Sequence, residues 1–91
     1  MSGAAAVEPR DVRLKRLRLR SWRRGTREMD LLLGPYADAA LAEAGDAALD
    51  AYEALLVEED PDLCAWLVGA RSAPARHGAL VARIRAFHGI G

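Results

Sequence analysis

Arg24, Gly25 and Glu28 bring a guanidinium, a backbone position without a side chain and a carboxylate close together, with Asp30 following in register and Trp22 just before. Groups of this type recognise rather than react. Opposite charges flanking a glycine can make charge-assisted hydrogen bonds across an interface, and glycine lets another surface approach the backbone closely. The same spacing also has an architectural reading. Gly25 can take positive φ without a Cβ penalty, so one helix can stop there and the next begin. Arg24 then ends the first helix and Glu28 lies in the first turn of the second, each where the helix dipole favours its charge. Trp22 suits core and contact surface equally.

Residues for bond-making chemistry are sparse. Cys64 is the single cysteine and sits between Leu63 and Trp66, a setting for a small core thiol. His77 and His88 are not at metal-ligand spacing, and Cys64 is distant from both in sequence. Glu58 and Glu59 adjoin a helix start and read as a solvated face. There is no Gly-rich phosphate loop and no dinucleotide fingerprint. A minimal enzyme built on Cys64 or a histidine lacks a constellation, so the expectation is no enzyme and no catalytic, metal-binding or cofactor-binding residue.

The elements that must position the Arg-Gly corner are helical. Ala and Leu dominate an apolar content of 52% over 91 residues, and β-branched residues are few. Residues 11–23 partly alternate, Val12, Leu14, Leu17 and Leu19 against Arg and Lys, which also fits a strand. Their composition and the absence of a following hairpin turn favour a basic helix. Residues 27–44 repeat Met29, Leu32, Leu33, Tyr36 and Ala40 at helical spacing, with a kink or break expected at Gly34-Pro35 and a stop at Gly45. Asp46 can cap a third helix carrying Leu49, Tyr52, Leu55 and Leu56. Asp60-Pro61-Asp62 is a helix start with Asp60 as cap, and Leu63, Trp66 and Leu67 face inward until Gly69. A fifth helix runs from about Ala75 to His88, lined by Leu80, Ile84 and Phe87 with Val81 beside them, and Gly89 stops it. The expectation is an all-α, compact five-helix bundle over residues 11–91 behind a flexible tail, 1–10. Its core should combine Leu33, Leu49, Tyr52, Leu55, Leu63, Trp66, Leu67, Leu80 and Ile84.

The formal net charge is zero but segregated. Arg10, Arg13, Lys15, Arg16, Arg18, Arg20, Arg23, Arg24 and Arg27 crowd the first third. No Lys or Arg stands between Met29 and Trp66, where the acids from Asp30 to Asp62 lie, and the remaining arginines follow. Either the basic ends cover the acidic middle, or a cationic face awaits an anionic partner. An unpaired cysteine fits a reducing compartment. No stretch is long and apolar enough for a membrane span, and the N-terminus resembles neither a signal nor a transit peptide. These features predict a bacterial cytoplasmic protein without membrane insertion.

Taken together, Arg24-Gly25-x-x-Glu28 with Asp30, an interrupted apolar helix, and Asp60-Pro61-Asp62-Leu63 with Trp66-Leu67 resemble the FAD assembly factor SdhE family. That family is also known as succinate dehydrogenase assembly factor 2, or flavinator. The resemblance runs from about Leu14 to Phe87. It implies a small five-helix bundle that binds the flavoprotein subunit of succinate dehydrogenase, and in many bacteria that of fumarate reductase. It implies that the protein promotes covalent attachment of FAD to a histidine of that subunit, with FAD attached on the partner and not bound stably here. Arg24, Gly25 and Glu28 carry over as the partner-binding surface, joined by Asp30 and Trp22; Asp60, Pro61, Asp62 and Trp66 match a mainly architectural motif. Thr26 and Arg27 fall at positions that vary in the family, and Arg18 and Arg20 make the first helix richer in Arg than the resemblance requires. The chain is expected to be a monomer on its own. The alternative reading is a small nucleic-acid-binding module using Arg13 to Arg27. A near-neutral pI of 6.7 and the acidic middle speak against nucleic acid as a partner.

Overall fold

The computed structural model describes residues 8–90. Five α-helices follow in order: α1 (Arg10–Trp22), α2 (Arg27–Ala40), α3 (Asp46–Leu56), α4 (Asp60–Leu67) and α5 (Ala75–Phe87), with a 3₁₀ turn (Leu41–Glu43) after α2. Among the described residues there is no strand, and the all-α expectation holds. Of the expected tail, residues 1–7 lie outside the described residues; Pro9 already caps α1 and Arg10 is helical.

The inner face of each helix follows from its apolar spacing. Leu17 and Ser21 are buried on α1, and Met29, Leu33, Tyr36 and Ala37 on α2. α3 contributes Leu49, Tyr52, Leu55 and Leu56, and α4 contributes Leu63, Trp66 and Leu67. Val81 and Ile84 complete the cluster from α5. Every residue of the expected core belongs to it except Leu80, which is half-buried and packed against its edge. Phe87 is 46% exposed, contrary to its place on the expected inner face. The buried stripe of α5 is His77, Val81 and Ile84, and Phe87 instead meets Tyr36 edge-on, ring centroids 5.6 Å apart.

Two helix starts differ from expectation, and of the kink or break expected at Gly34-Pro35 no break is found. α2 continues through Gly34-Pro35 to Ala40, because proline removes one amide donor and the buried residues on either side hold the helix in place. Gly45 has φ −76° and ψ 172°, so it is the extended N-cap of α3 and not a left-handed stop; Asp46 is the first helical residue. Asp60 likewise begins α4 instead of capping it. Glu59 takes the cap position without a side-chain bond, because the Asp60 carboxylate is engaged by Arg24.

The buried Ser21 and Tyr52 hydroxyls and the half-buried His88 ring are paired. Ser21 Oγ donates to the Leu17 carbonyl (2.8 Å) and receives the Tyr52 hydroxyl (2.6 Å), joining α1 to α3. Burial pushes the Tyr52 hydroxyl up to about 12, so it stays neutral. His88 Nε2 donates to the Leu32 carbonyl (2.7 Å) and ties the end of α5 to α2.

The contact between α1 and α2 depends on a missing side chain. Trp22 lies across α2 at Gly34, where a Cβ would overlap its ring, and its indole N–H donates to Asp38 (3.1 Å). Alanine is the better helix former by about 0.8–1.0 kcal/mol. Even so, Gly34→Ala is expected to lower the melting temperature by displacing the indole. In a Trp22→Ala background the same change is expected to raise it. Thermal melts of this double-mutant cycle check the pairing; a rise in both backgrounds would mean that Trp22 is not seated on Gly34.

Candidate functional site

The corner between α1 and α2 is built by local chemistry. Arg23 follows the last residue of α1, and Gly25 adopts φ +109°, which side chains rarely tolerate. Thr26 caps α2 by accepting the Met29 amide at 3.3 Å. The Asp30 carboxylate reaches back to accept the Arg24 amide at 2.7 Å, closing the turn. A Cβ on Gly25 would meet nothing within 4 Å, so its outer side is open. Glu28 lies in the first turn of α2, exposed, and forms no ion pair among the described residues.

Arg24 turns the other way. Its Nε and Nη2 reach Asp60 at 2.9 and 2.7 Å, Nη2 donates to the Glu58 carbonyl at 2.8 Å, and Nη1 donates to the Leu56 carbonyl. Its side chain is only 11% exposed. One guanidinium therefore satisfies carbonyls at the end of α3 and the first carboxylate of α4. The Arg24-Gly25 and Asp60-Pro61-Asp62 motifs, 36 residues apart at Arg24 and Asp60, are one constellation. Arg24 and Asp30 set the corner from within. Gly25, Glu28 and the outer part of Trp22, 38% exposed, are what another molecule can touch.

Glu58 extends this constellation, against its reading as a solvated residue. Its carboxylate receives His77 Nε2 at 2.6 Å and Arg76 at 2.8 Å while its carbonyl holds Arg24. His77 is buried beside Trp66, ring centroids 5.7 Å apart. Spacing could not reveal this group, because its members come from α5 and from the α3–α4 junction. Glu59 is exposed, as expected.

Many of the segregated charges meet each other. Arg10 pairs with Asp46, Arg13 with Asp50 and Glu53, and Arg16 with Glu53 and Glu8. Arg71 pairs with Asp62 and Arg76 with Glu58. Hydrogen bonds from Arg16 and then Arg13 hold the Glu53 carboxyl below its ordinary value against the opposing cost of burial. Cys64 is half-buried against the core. Among the described residues no three His, Cys, Asp or Glu gather as metal ligands, and no helix is long and apolar enough to cross a membrane.

The family model described as "Flavinator of succinate dehydrogenase" matches residues 15–88. The chain belongs to the succinate dehydrogenase flavinator family. It is 39% identical over 69 residues to "Succinate dehydrogenase assembly factor 2, mitochondrial" of Mycosarcoma maydis, covering 76% of this chain and 29% of that protein. The protein of the same name in Schizosaccharomyces pombe is 39% identical over 71 residues, 78% of this chain and 51% of its own length. "FAD assembly factor SdhE" of Aliivibrio fischeri is 36% identical over 63 residues, 68% of this chain and 73% of that protein. The chain thus spans about half or less of the length of the two mitochondrial relatives and about three quarters of the bacterial one. No solved structure matches it.

Within this chain, Arg24 and Glu28 should separate by stability. Arg24→Ala leaves Asp60 and two carbonyls without their charged donor, and a hydrogen bond to a charged group is worth about 1.5–3 kcal/mol. A loss of stability of that size, seen as a lower melting temperature, is expected for Arg24→Ala, while Glu28→Ala should stay within about 0.5 kcal/mol of wild type. Equal melts for the two variants would contradict the inward role of Arg24.

Acid should loosen the same region. The His77 and Arg76 hydrogen bonds hold the Glu58 carboxyl below its ordinary value of 4.5, outweighing desolvation. Its folded value therefore lies below its unfolded one. The stability it contributes is present above pH 4.5 and is lost as pH falls through the folded value. Glu58→Gln is expected to melt lower at neutral pH and to show a shallower loss of stability between neutral pH and pH 3–4, about the carboxylate range. Parallel pH–stability curves for the two proteins would remove Glu58 from the acid response.

Proposed function

We propose that this protein is an assembly factor that binds the flavoprotein subunit of succinate dehydrogenase and promotes covalent attachment of FAD to it. The observation that carries the proposal is the corner within the family match: an open Gly25 backbone and an unpaired Glu28 carboxylate, held in place from behind by Arg24 and Asp30. A rigid, exposed corner of this kind suits docking. Gly25 admits close approach of the client backbone, and Glu28 offers a charge-assisted hydrogen bond.

The chemistry belongs to the client. Flavin attachment needs flavin, acceptor histidine and neighbouring charges in one geometry, and a helper that holds a mobile part of the client in that arrangement accelerates the reaction by positioning. The protein then acts without turnover of its own, as a monomer, and FAD is held and attached on the partner. Fumarate reductase flavoprotein, where present, is a second client of the same kind. The bacterial relatives and the lone thiol support action in the bacterial cytoplasm.

Reconstitution of the apo flavoprotein subunit with FAD and the purified protein, read as in-gel flavin fluorescence, tests this reading. Gly25→Arg places a long cation on the open side of the corner. Its left-handed backbone costs it about 1–2 kcal/mol, small against a domain stability of about 5–15 kcal/mol. Glu28→Ala removes the exposed carboxylate and leaves the turn intact. Both variants are expected to keep helical circular dichroism and to lose the stimulation of flavin attachment. Wild-type stimulation by both folded variants would make the corner a structural cap only.

A further inference from the structure

Between the end of α2, α3 and α5 the bundle leaves a cleft of about 400 Å³. Among the described residues its wall holds six alanines, with Leu41 and Leu80 beside them and the rings of Tyr36 and Tyr52. Side chains this short leave the space between the helices unfilled, whereas packed interiors hold few voids larger than a water molecule. An apolar wall gives ordered water few partners, so an apolar occupant gains by entering.

The polar groups of the wall are few and placed. Tyr36 is 9% exposed, its ring set against Tyr52, centroids 6.0 Å apart, and against the edge of Phe87. Its hydroxyl has no hydrogen bond among the described residues and is not sealed inside the protein, whereas the Tyr52 hydroxyl is bonded to Ser21. Arg83 stands one turn before Phe87 on α5, exposed and with no ion pair among the described residues. Arg76 also reaches the wall, but it pairs with Glu58, which lies outside it. No described Asp or Glu lines the cleft; Glu43, beside Ala44, is exposed and is not part of the wall.

We infer that this cleft binds a small amphiphilic carboxylate, its hydrocarbon chain on the alanine wall and its head between the Tyr36 hydroxyl and the Arg83 guanidinium. The size, the mostly apolar wall and the few polar groups are those of a small-molecule site. The unmatched charge of the wall is a cation, which selects an anionic head, and Arg83 and the Tyr36 O–H are both donors to it. The cleft lies at the opposite end of α2 from the Gly25 corner, so the inference stands apart from the assembly-factor reading.

The test titrates the full chain with sodium octanoate, read by NMR chemical shifts and by melting temperature, beside butanoate, hexanoate and octanol. Saturable binding is expected, with the alanine methyls of the cleft shifting and the melting temperature rising. Each added methylene should tighten binding about fourfold, the value of one buried CH₂. Tyr36→Phe keeps the ring and loses a hydroxyl that holds nothing in the fold, and Arg83→Gln removes an exposed cation. Both are expected to melt as wild type without ligand and to bind octanoate about tenfold or more weakly, the loss of one hydrogen bond to a charged group. If Tyr36→Phe melts lower, Arg83→Gln decides. Absence of saturable binding across the series, equal affinity for octanol and octanoate, or wild-type affinity in both variants would overturn the site.

Discussion

The Arg24 guanidinium organises this fold. It sits where α1 has ended, α3 is ending and α4 is beginning, and it supplies donors to an acceptor set that the helices leave open there. A lysine could offer the charge but not the planar fork that reaches the Asp60 carboxylate and two carbonyls together. With Arg24 turned inward, the backbone must reverse at Gly25. Thr26 and Asp30 then complete the reversal with two short-range bonds. The accessible groups at the corner owe their placement to a residue that is itself nearly inaccessible.

Around this junction, polar pairs fix how the helices meet. Tyr52 with Ser21 and His88 with the Leu32 carbonyl join different helices, and His77 with Glu58 joins α5 to the α3–α4 junction, through groups that would be costly to bury alone. The exposed ion pairs between α1 and α3 are individually worth little. Their combined effect is to match a basic helix to an acidic one, which explains how a chain with strongly segregated charge forms one compact unit. A helper that works by positioning needs such a frame, because a contact surface that drifts relative to its core cannot hold a client in a reactive geometry.

Helix identity, the inner stripes of α2 to α4 and the left-handed residues Gly25, Gly69 and Gly89 were legible from residue type and spacing. The Arg-Gly-x-x-Glu group was legible as well, but not its division of labour. Arg24 and Glu28 look equivalent in sequence, yet one faces inward and the other outward, because Asp60 and the α3 carbonyls lie on one side of the corner only. Helix caps were misplaced for the same reason. Asp60 has the chemistry of an N-cap, and a distant guanidinium claimed it. Phe87 was placed inward because helical periodicity assigns an aromatic inward by default, whereas His77, for which periodicity gave no role, is buried because it faces a carboxylate. Trp22 belongs to both alternatives first drawn for it: one side of the indole packs on Gly34 and the other remains open.

The partners of the Arg24 side chain lie 32 to 36 residues further along the chain. Synthesis runs from the N-terminus, so α1, the corner and α2 leave the ribosome well before Leu56, Glu58 and Asp60 do. Until then Thr26 and Asp30 can shape the turn locally, but nothing fastens it to a core. A truncated or still-growing chain therefore carries Gly25 and Glu28 without the geometry that presents them. The fastened corner arrives only with the α3–α4 junction, so under the proposed function an unfinished copy is a poor competitor for the same client.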